Sequence, residues 1–111
     1  MSNKNSQIII DVNTDENHVP LKINWTATDS GVENQRSKAM ILSMWDETQN
    51  SALRIDLWDK DMKVDEMKLF VHQTLVTMAD SFERATGEKQ MTLAMKDFCD
   101  YFAEKMKLYE S

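Results

Sequence analysis

Cysteine occurs once in this chain, as Cys99, which excludes an internal disulfide and a cysteine-based zinc cluster and suits a reducing compartment. One proline and two glycines leave few natural breaks, so the 111 residues read as long ordered elements, not as a flexible or low-complexity polymer. The opening MSNKNSQIII holds an apolar run of only three residues, too short for a signal sequence or a membrane span. Basic residues are outnumbered, 13 against 19 acidic, and the net charge of −6 opposes phosphate backbones. There is no basic stripe for nucleic acid, no glycine-rich phosphate loop, no G-x-S-x-G elbow and no dinucleotide fingerprint. These absences predict a cytoplasmic protein with no nucleic-acid partner, no direct membrane insertion, no cofactor and no catalytic residues.

With 41% hydrophobic and 29% charged residues, the composition is that of a folding chain. Its length predicts a single domain over 1–111, frayed at 1–5 and 109–111. SQIIIDV (6–12) and PLKINWTA (20–27) are rich in β-branched residues and flank the turn formers NTDENH, the pattern of a hairpin. Leu21, Ile23 and Trp25 alternate with Lys22, Asn24 and Thr26, and Ile8, Ile10 and Val12 extend the buried side. The polar segment 28–37 reads as a loop with one helical turn, because Ser30 and Glu33 have capping-box spacing. KAMILSMWD (38–46) and ALRIDLW (52–58) alternate again around ETQNS and predict a second hairpin. From about 62 to 85 and from about 88 to 108 the apolar period becomes helical, with Gly87 as a left-handed stop between the two.

The expected fold is therefore α+β: a four-stranded, largely antiparallel sheet of two hairpins with two C-terminal helices packed on one face. The competing reading is β-β-α-β-α-α, with a helix at about 32–45 favoured by methionine and alanine propensity.

Five carboxylates crowd LRIDLWDKDMKVDEM, at Asp56, Asp59, Asp61, Asp65 and Glu66. A calcium loop starting at Asp59 needs glycine sixth and glutamate twelfth, and finds Val64 and Phe70. A strand leading into a charged helix start explains the run better, with Asp61 as N-cap or first-turn residue and Asp65 and Glu66 at the positive helix end. Asp56 and Arg54, two apart on one strand, are expected to pair. His72 has Lys68 and Val76 one turn away on either side, so no second ligand joins it, and an edge histidine is expected. His18 lies in a turn without an obvious partner. Cys99 falls on an apolar helical stripe, where a buried, inert thiol is expected. The nine methionines mostly occupy core positions, although a Met-lined groove between the helices is an alternative.

One group does not fit a core. If Met40, Leu42, Met44, Leu53, Ile55 and Leu57 face inward, the outer face presents Ile9, Ile41, Trp45 and Trp58 beside Lys22, Arg54 and Asp56. Tryptophan and arginine are enriched at binding hot spots, and apolar patches rimmed by charge mark interaction surfaces. The face is expected to bind a protein partner, a second copy included, through Ile41, Trp45, Arg54, Asp56 and Trp58; the bland alternative is that the loop at 28–37 covers it. A rival functional reading is a small-ligand binder or enzyme with a pocket between sheet and helices, lined by methionines and Trp25.

KINWTA, GVE, LSMWDE, LRIDLWDKDMKVDEMK, HQTLVTMADSFERAT and DFCDYFAEKM together resemble the GldC family of gliding motility proteins, over almost all of 8–106. The resemblance implies an accessory component of the gliding machinery without known enzymatic activity, whose partners include other components of that machinery. It implies no catalytic residues. The chain departs from the family pattern at Asp59, where threonine is expected, and at Lys63, where proline is frequent.

Overall fold

The computed structural model describes residues 3–108. The expected fraying of 1–2 and 109–111 lies outside the described residues. Backbone contacts divide the chain into two compact units, Met1–Met62 and Lys63–Ser111. All strands belong to the first and both helices to the second, an α+β arrangement in chain order.

The first unit contains five strands in two sheets, not four in one. β1 (Ile8–Thr14), β2 (Pro20–Ala27) and β3 (Val32–Ser37) form an antiparallel sheet with β2 in the middle. β4 (Ala39–Asp46) and β5 (Ser51–Trp58) form a separate antiparallel ribbon. The segment 28–37, expected as a loop with one helical turn, is thus a 3-10 turn at Thr28–Ser30, a left-handed Gly31 at φ 70° and then β3, while β4 is the strand first expected and not the helix of the competing reading. β3 reads VENQRS, too polar to announce itself as a strand; an edge strand tolerates such charge because one side has no sheet neighbour. Asn34 sits at φ 48°, donates its N–H to Thr26 Oγ1 at 3.0 Å and accepts from Asn24 Nδ2 at 3.1 Å. Asparagine tolerates that conformation, and the β2–β3 register shifts at this point.

In the three-stranded sheet, Ile10 stands opposite Trp25 and Val12 opposite Ile23, so the alternating apolar side is real. Ile23 and Ala27 are its buried members, 1% and 6% exposed. The reverse side carries Asp11, Asn13, Asn24 and Arg36. The β1–β2 turn is held by Asp15, whose Oδ1 accepts the N–H groups of Val19 at 3.0 Å and Asn17 at 2.8 Å.

Asp59 joins the pieces of this unit. It directly follows β5 and is 2% exposed. Its N–H donates to the Lys38 carbonyl between β3 and β4 at 2.8 Å. Its carboxylate accepts from Arg36 Nη2 of β3 at 3.3 Å and from the Asp61 N–H at 3.0 Å. Arg36 also reaches Asp61 at 3.4 Å. Two stretches distant in sequence, 36–38 and 59–61, are therefore tied through Asp59, whose buried carboxylate is tolerated because it is hydrogen-bonded.

The second unit is a helical hairpin, α1 (Val64–Thr86) and α2 (Lys89–Lys105). The N-cap of α1 is Lys63, not Asp61, and the Lys63 N–H donates to Glu66 Oε1 at 2.9 Å. Asp65 and Glu66 occupy the first turn, at the positive end of the helix dipole. Gly87, at φ 71°, ends α1 with its N–H on the Glu83 carbonyl at 2.8 Å. Near the turn Asp80 pairs with Lys96 at 2.8 Å, and farther from it His72 stacks on Phe102 at 6.1 Å, the order that antiparallel helices require. The seam is made by small residues: Ala79, Thr92, Cys99 and Ala103 are 0–3% exposed. Cys99 among them meets the expectation of a buried thiol on an apolar helical stripe.

Three outcomes test these ties. Replacing Asp59 by alanine is expected to cost about 1–3 kcal/mol in urea unfolding, because the buried acceptor of the Arg36 and Asp61 N–H hydrogen bonds is lost. Arg36→Ala is expected to cost less, since that side chain is 49% exposed. The Val19 and Asn17 N–H groups hold the Asp15 carboxyl below its ordinary value. Its contribution is then fully present above about pH 4, the unfolded value, and is lost as pH falls through the lower folded value. The Val19 amide shift should accordingly titrate below pH ~4 in wild type and stay flat in Asp15→Ala.

Candidate interaction surface

The β4–β5 turn decides which side chains share a face. Asn50, at φ 52°, donates its N–H to the Asp46 carbonyl at 2.9 Å, and Asp46 Oδ2 accepts the Gln49 N–H at 3.1 Å. That turn closes the pair Asp46 and Ser51 and sets the register up the ribbon. Trp45 faces Ala52, Ser43 faces Arg54, Ile41 faces Asp56 and Ala39 faces Trp58. Because directly opposed residues point to the same side, Ile41, Trp45, Arg54, Asp56 and Trp58 share one face. The expected grouping is met for all five. Trp45 is 67% exposed, Trp58 54% and Ile41 46%, and both charged residues are exposed as well.

The other face of the ribbon is wholly apolar along most of its length, pairing Met40 with Leu57, Leu42 with Ile55 and Met44 with Leu53. At one end, Met40 joins Ile8, Ile10, Ile23, Trp25 and Ser37 around a hollow of about 130 Å³. The apolar side of the three-stranded sheet is therefore continuous with this face, and the five-residue face lies on the opposite side of the ribbon. Beside Asp56 and Trp58, a shallow hollow of about 310 Å³ reaches His18 and Val19 of the β1–β2 turn and Pro20 at the start of β2. His18 itself adopts φ 64° and is exposed. These turn residues border the face and were not expected there; their only sequence signal was the turn composition. Ala39 and Ser43 also belong to the face, as strand alternation implies.

Three expectations need correction. Ile9 and Lys22 share a side of the three-stranded sheet, not of the β4–β5 ribbon, so they do not extend the face as one sheet. Arg54 and Asp56 make no ion pair with each other or with any other described residue. Residues two apart on a strand are separated by about 6.6 Å along it, beyond salt-bridge reach without bending. Finally, 28–37 does not cover the face, because Val32–Ser37 is committed to β2 as an edge strand.

The remaining candidates resolve into structure. Among the described residues no three His, Cys, Asp or Glu side chains come together as a metal site. Asp59 and Asp61 serve the Arg36 tie, and Asp65 and Glu66 serve the helix start. His72 is half-buried against Phe102, with Nε2 out of contact with water and without a hydrogen-bond partner. Met78, Met91 and Met95 line an open groove of about 310 Å³ on the helical hairpin with Leu75, Ala94, Phe98 and Cys99. Trp25 lines a different hollow, in the first unit.

Cys99 is 3% exposed, and burial pushes its thiol above the ordinary value, with the nearby Asp100 adding to the shift. A thiol so placed holds little thiolate at neutral pH. A disulfide exchange reagent is therefore expected to label the folded protein far more slowly than the chain in guanidinium, and equal rates would contradict this placement.

Among the described residues no helix is long and apolar enough to cross a membrane. No curated protein and no solved structure matches the chain. The family described as gliding motility-associated protein GldC-like matches residues 20–108, which takes in β2 to β5 and both helices. The chain belongs to this GldC-like family of gliding motility-associated proteins.

Proposed function

We propose that the protein is a non-catalytic, cytoplasmic accessory component of bacterial gliding, acting by protein–protein association through Ile41, Trp45, Arg54, Asp56 and Trp58. The observation that carries this reading is one ribbon face with two tryptophans more than half exposed beside an arginine and an aspartate that have no partner among the described residues. Large aromatic residues in water forgo the stabilisation that burial brings, and unpaired charges beside them supply orientation to an incoming surface. Family membership supports the cellular setting.

A ligand-binding reading asks for an enclosed pocket with polar groups that fix orientation. The methionine groove on the helical hairpin is open and lined by apolar groups and a thiol, which favours the surface reading over the pocket.

The test uses a photo-crosslinking residue at position 45 in gliding cells, with a second at Asn24 on the polar side of the three-stranded sheet as control. Position 45 is expected to give a protein adduct and position 24 none. Trp58→Ala and Arg54→Glu should leave far-UV circular dichroism unchanged while reducing both the adduct and gliding speed. Folded variants that keep the adduct and glide normally would contradict the assignment.

A further inference from the structure

We infer that the occupant of the β4–β5 face is a second copy of this chain, joined through a two-fold axis. The inference rests on the surface reading above and names the partner. Its basis is that the face is complementary to itself. In a two-fold interface, if residue i meets residue j of the partner, then j meets i. A face that docks on its own copy must therefore carry both members of each charge pair.

This one does. Arg54 and Asp56 lie on the same side of one strand, two residues apart, and neither is neutralised by another described residue. An operation that sets Arg54 of one protomer against Asp56 of its partner sets Asp56 against Arg54 by the same motion. Ile55 lies between them on the opposite side of the ribbon, so the centre of this exchange holds no competing side chain from β5. Ile41 stands directly across from Asp56 and Ser43 across from Arg54. The charged exchange is thus flanked by a branched apolar residue and a small one, while Trp45 and Trp58 mark the two ends. Aromatic residues at the ends and a neutralised charge pair in the middle make a surface whose net charge is zero. Two such faces add no like-charge contact of their own to the repulsion between copies that each carry a net charge of −6.

Size agrees with a reversible dimer. Each exposed tryptophan brings on the order of 150 Å². With Ile41, Arg54 and Asp56 included and both protomers counted, the face supplies on the order of 1,000 Å², the lower end for a specific interface. Weak and transient encounters sit at this low end of size, so a reversible dimer in the micromolar concentration range is expected.

Charge reversal tests the exchange directly. Sedimentation equilibrium of the full chain, from about 5 to 500 µM, should show wild type moving from monomer towards dimer, the range of a weak, reversible interface. Arg54→Asp places two aspartates against their partner's Asp56, and Asp56→Arg places arginine against arginine. Each variant alone is expected to associate at least about tenfold more weakly, because like charges at an interface oppose it. When the two variants are mixed, the all-acidic face meets the all-basic one, and dimer is expected to return. The double variant Arg54→Asp with Asp56→Arg should dimerise on its own. Recovery on mixing also shows that each single variant is folded.

A wild type that stays monomeric at the top of that concentration range overturns the inference, as do single variants that dimerise like wild type or a mixture that stays monomeric. If wild type is monomeric but position 45 still crosslinks to a different protein in cells, the surface reading stands and only the second copy is lost. If there is neither dimer nor adduct, both fall.

Discussion

Eight cross-strand pairs, from Ala39 opposite Trp58 to Asp46 opposite Ser51, decide what the β4–β5 ribbon presents. Side chains alternate with a period of two, so a slip of one residue in β5 relative to β4 would place Arg54 opposite Leu42 or Met44. Arginine and aspartate would then face the apolar side, and Trp45 would no longer share a face with them. The register therefore comes before any functional statement about these residues. It is set at the turn, where Asn50 adopts a left-handed conformation and Asp46 accepts hydrogen bonds from both Gln49 and Asn50.

A two-stranded ribbon by itself is marginally stable in water. Here its open end is secured by Asp59, immediately after Trp58, through the Lys38 carbonyl, Arg36 and the Asp61 N–H. Met40 meanwhile enters the hollow beside Ile23 and Trp25. These two attachments make one side of the ribbon continuous with the apolar side of the three-stranded sheet at Met40, while Met44, Leu53 and Ile55 farther along it are 60%, 60% and 53% exposed and the other side is exposed as well. Trp58 and Asp59 are adjacent in sequence yet 54% and 2% exposed. One step along the chain separates the residue offered to a partner from the residue that anchors the strand. Threonine in place of Asp59 would keep an oxygen acceptor of smaller reach and no charge for Arg36.

The ribbon and its two faces are legible in the alternation of AMILSMWD and ALRIDLW, because period-two patterning is a strong physical signal. The helices are legible to within a few residues for the same reason, with Gly87 marking the turn. β3 is not. Its residues, VENQRS, contain one apolar side chain, and its pairing depends on Asn34 and Arg36 finding partners on β2 and after β5. Such long-range polar contacts have no local signature. The same applies to the helix seam, where Ala79, Thr92 and Ala103 are buried because small side chains let helices approach, whereas Met78, Met91 and Phe98 stay more than half exposed. Hydrophobicity alone points to the larger residues. The acidic run illustrates the converse: its density suggests a site, but Asp59, Asp61, Asp65 and Glu66 each have a structural task.

A Trp25→Phe variant leaves Trp45 and Trp58 as the two indoles, both on the β4–β5 face. Their fluorescence across a dilution series is the most direct measure of whether that face is covered by a second copy. The account predicts blue-shifted emission and low acrylamide quenching at high concentration, changing on dilution to the red-shifted, strongly quenched signal of exposed tryptophan. Emission that is red-shifted and fully quenchable at every concentration would contradict it.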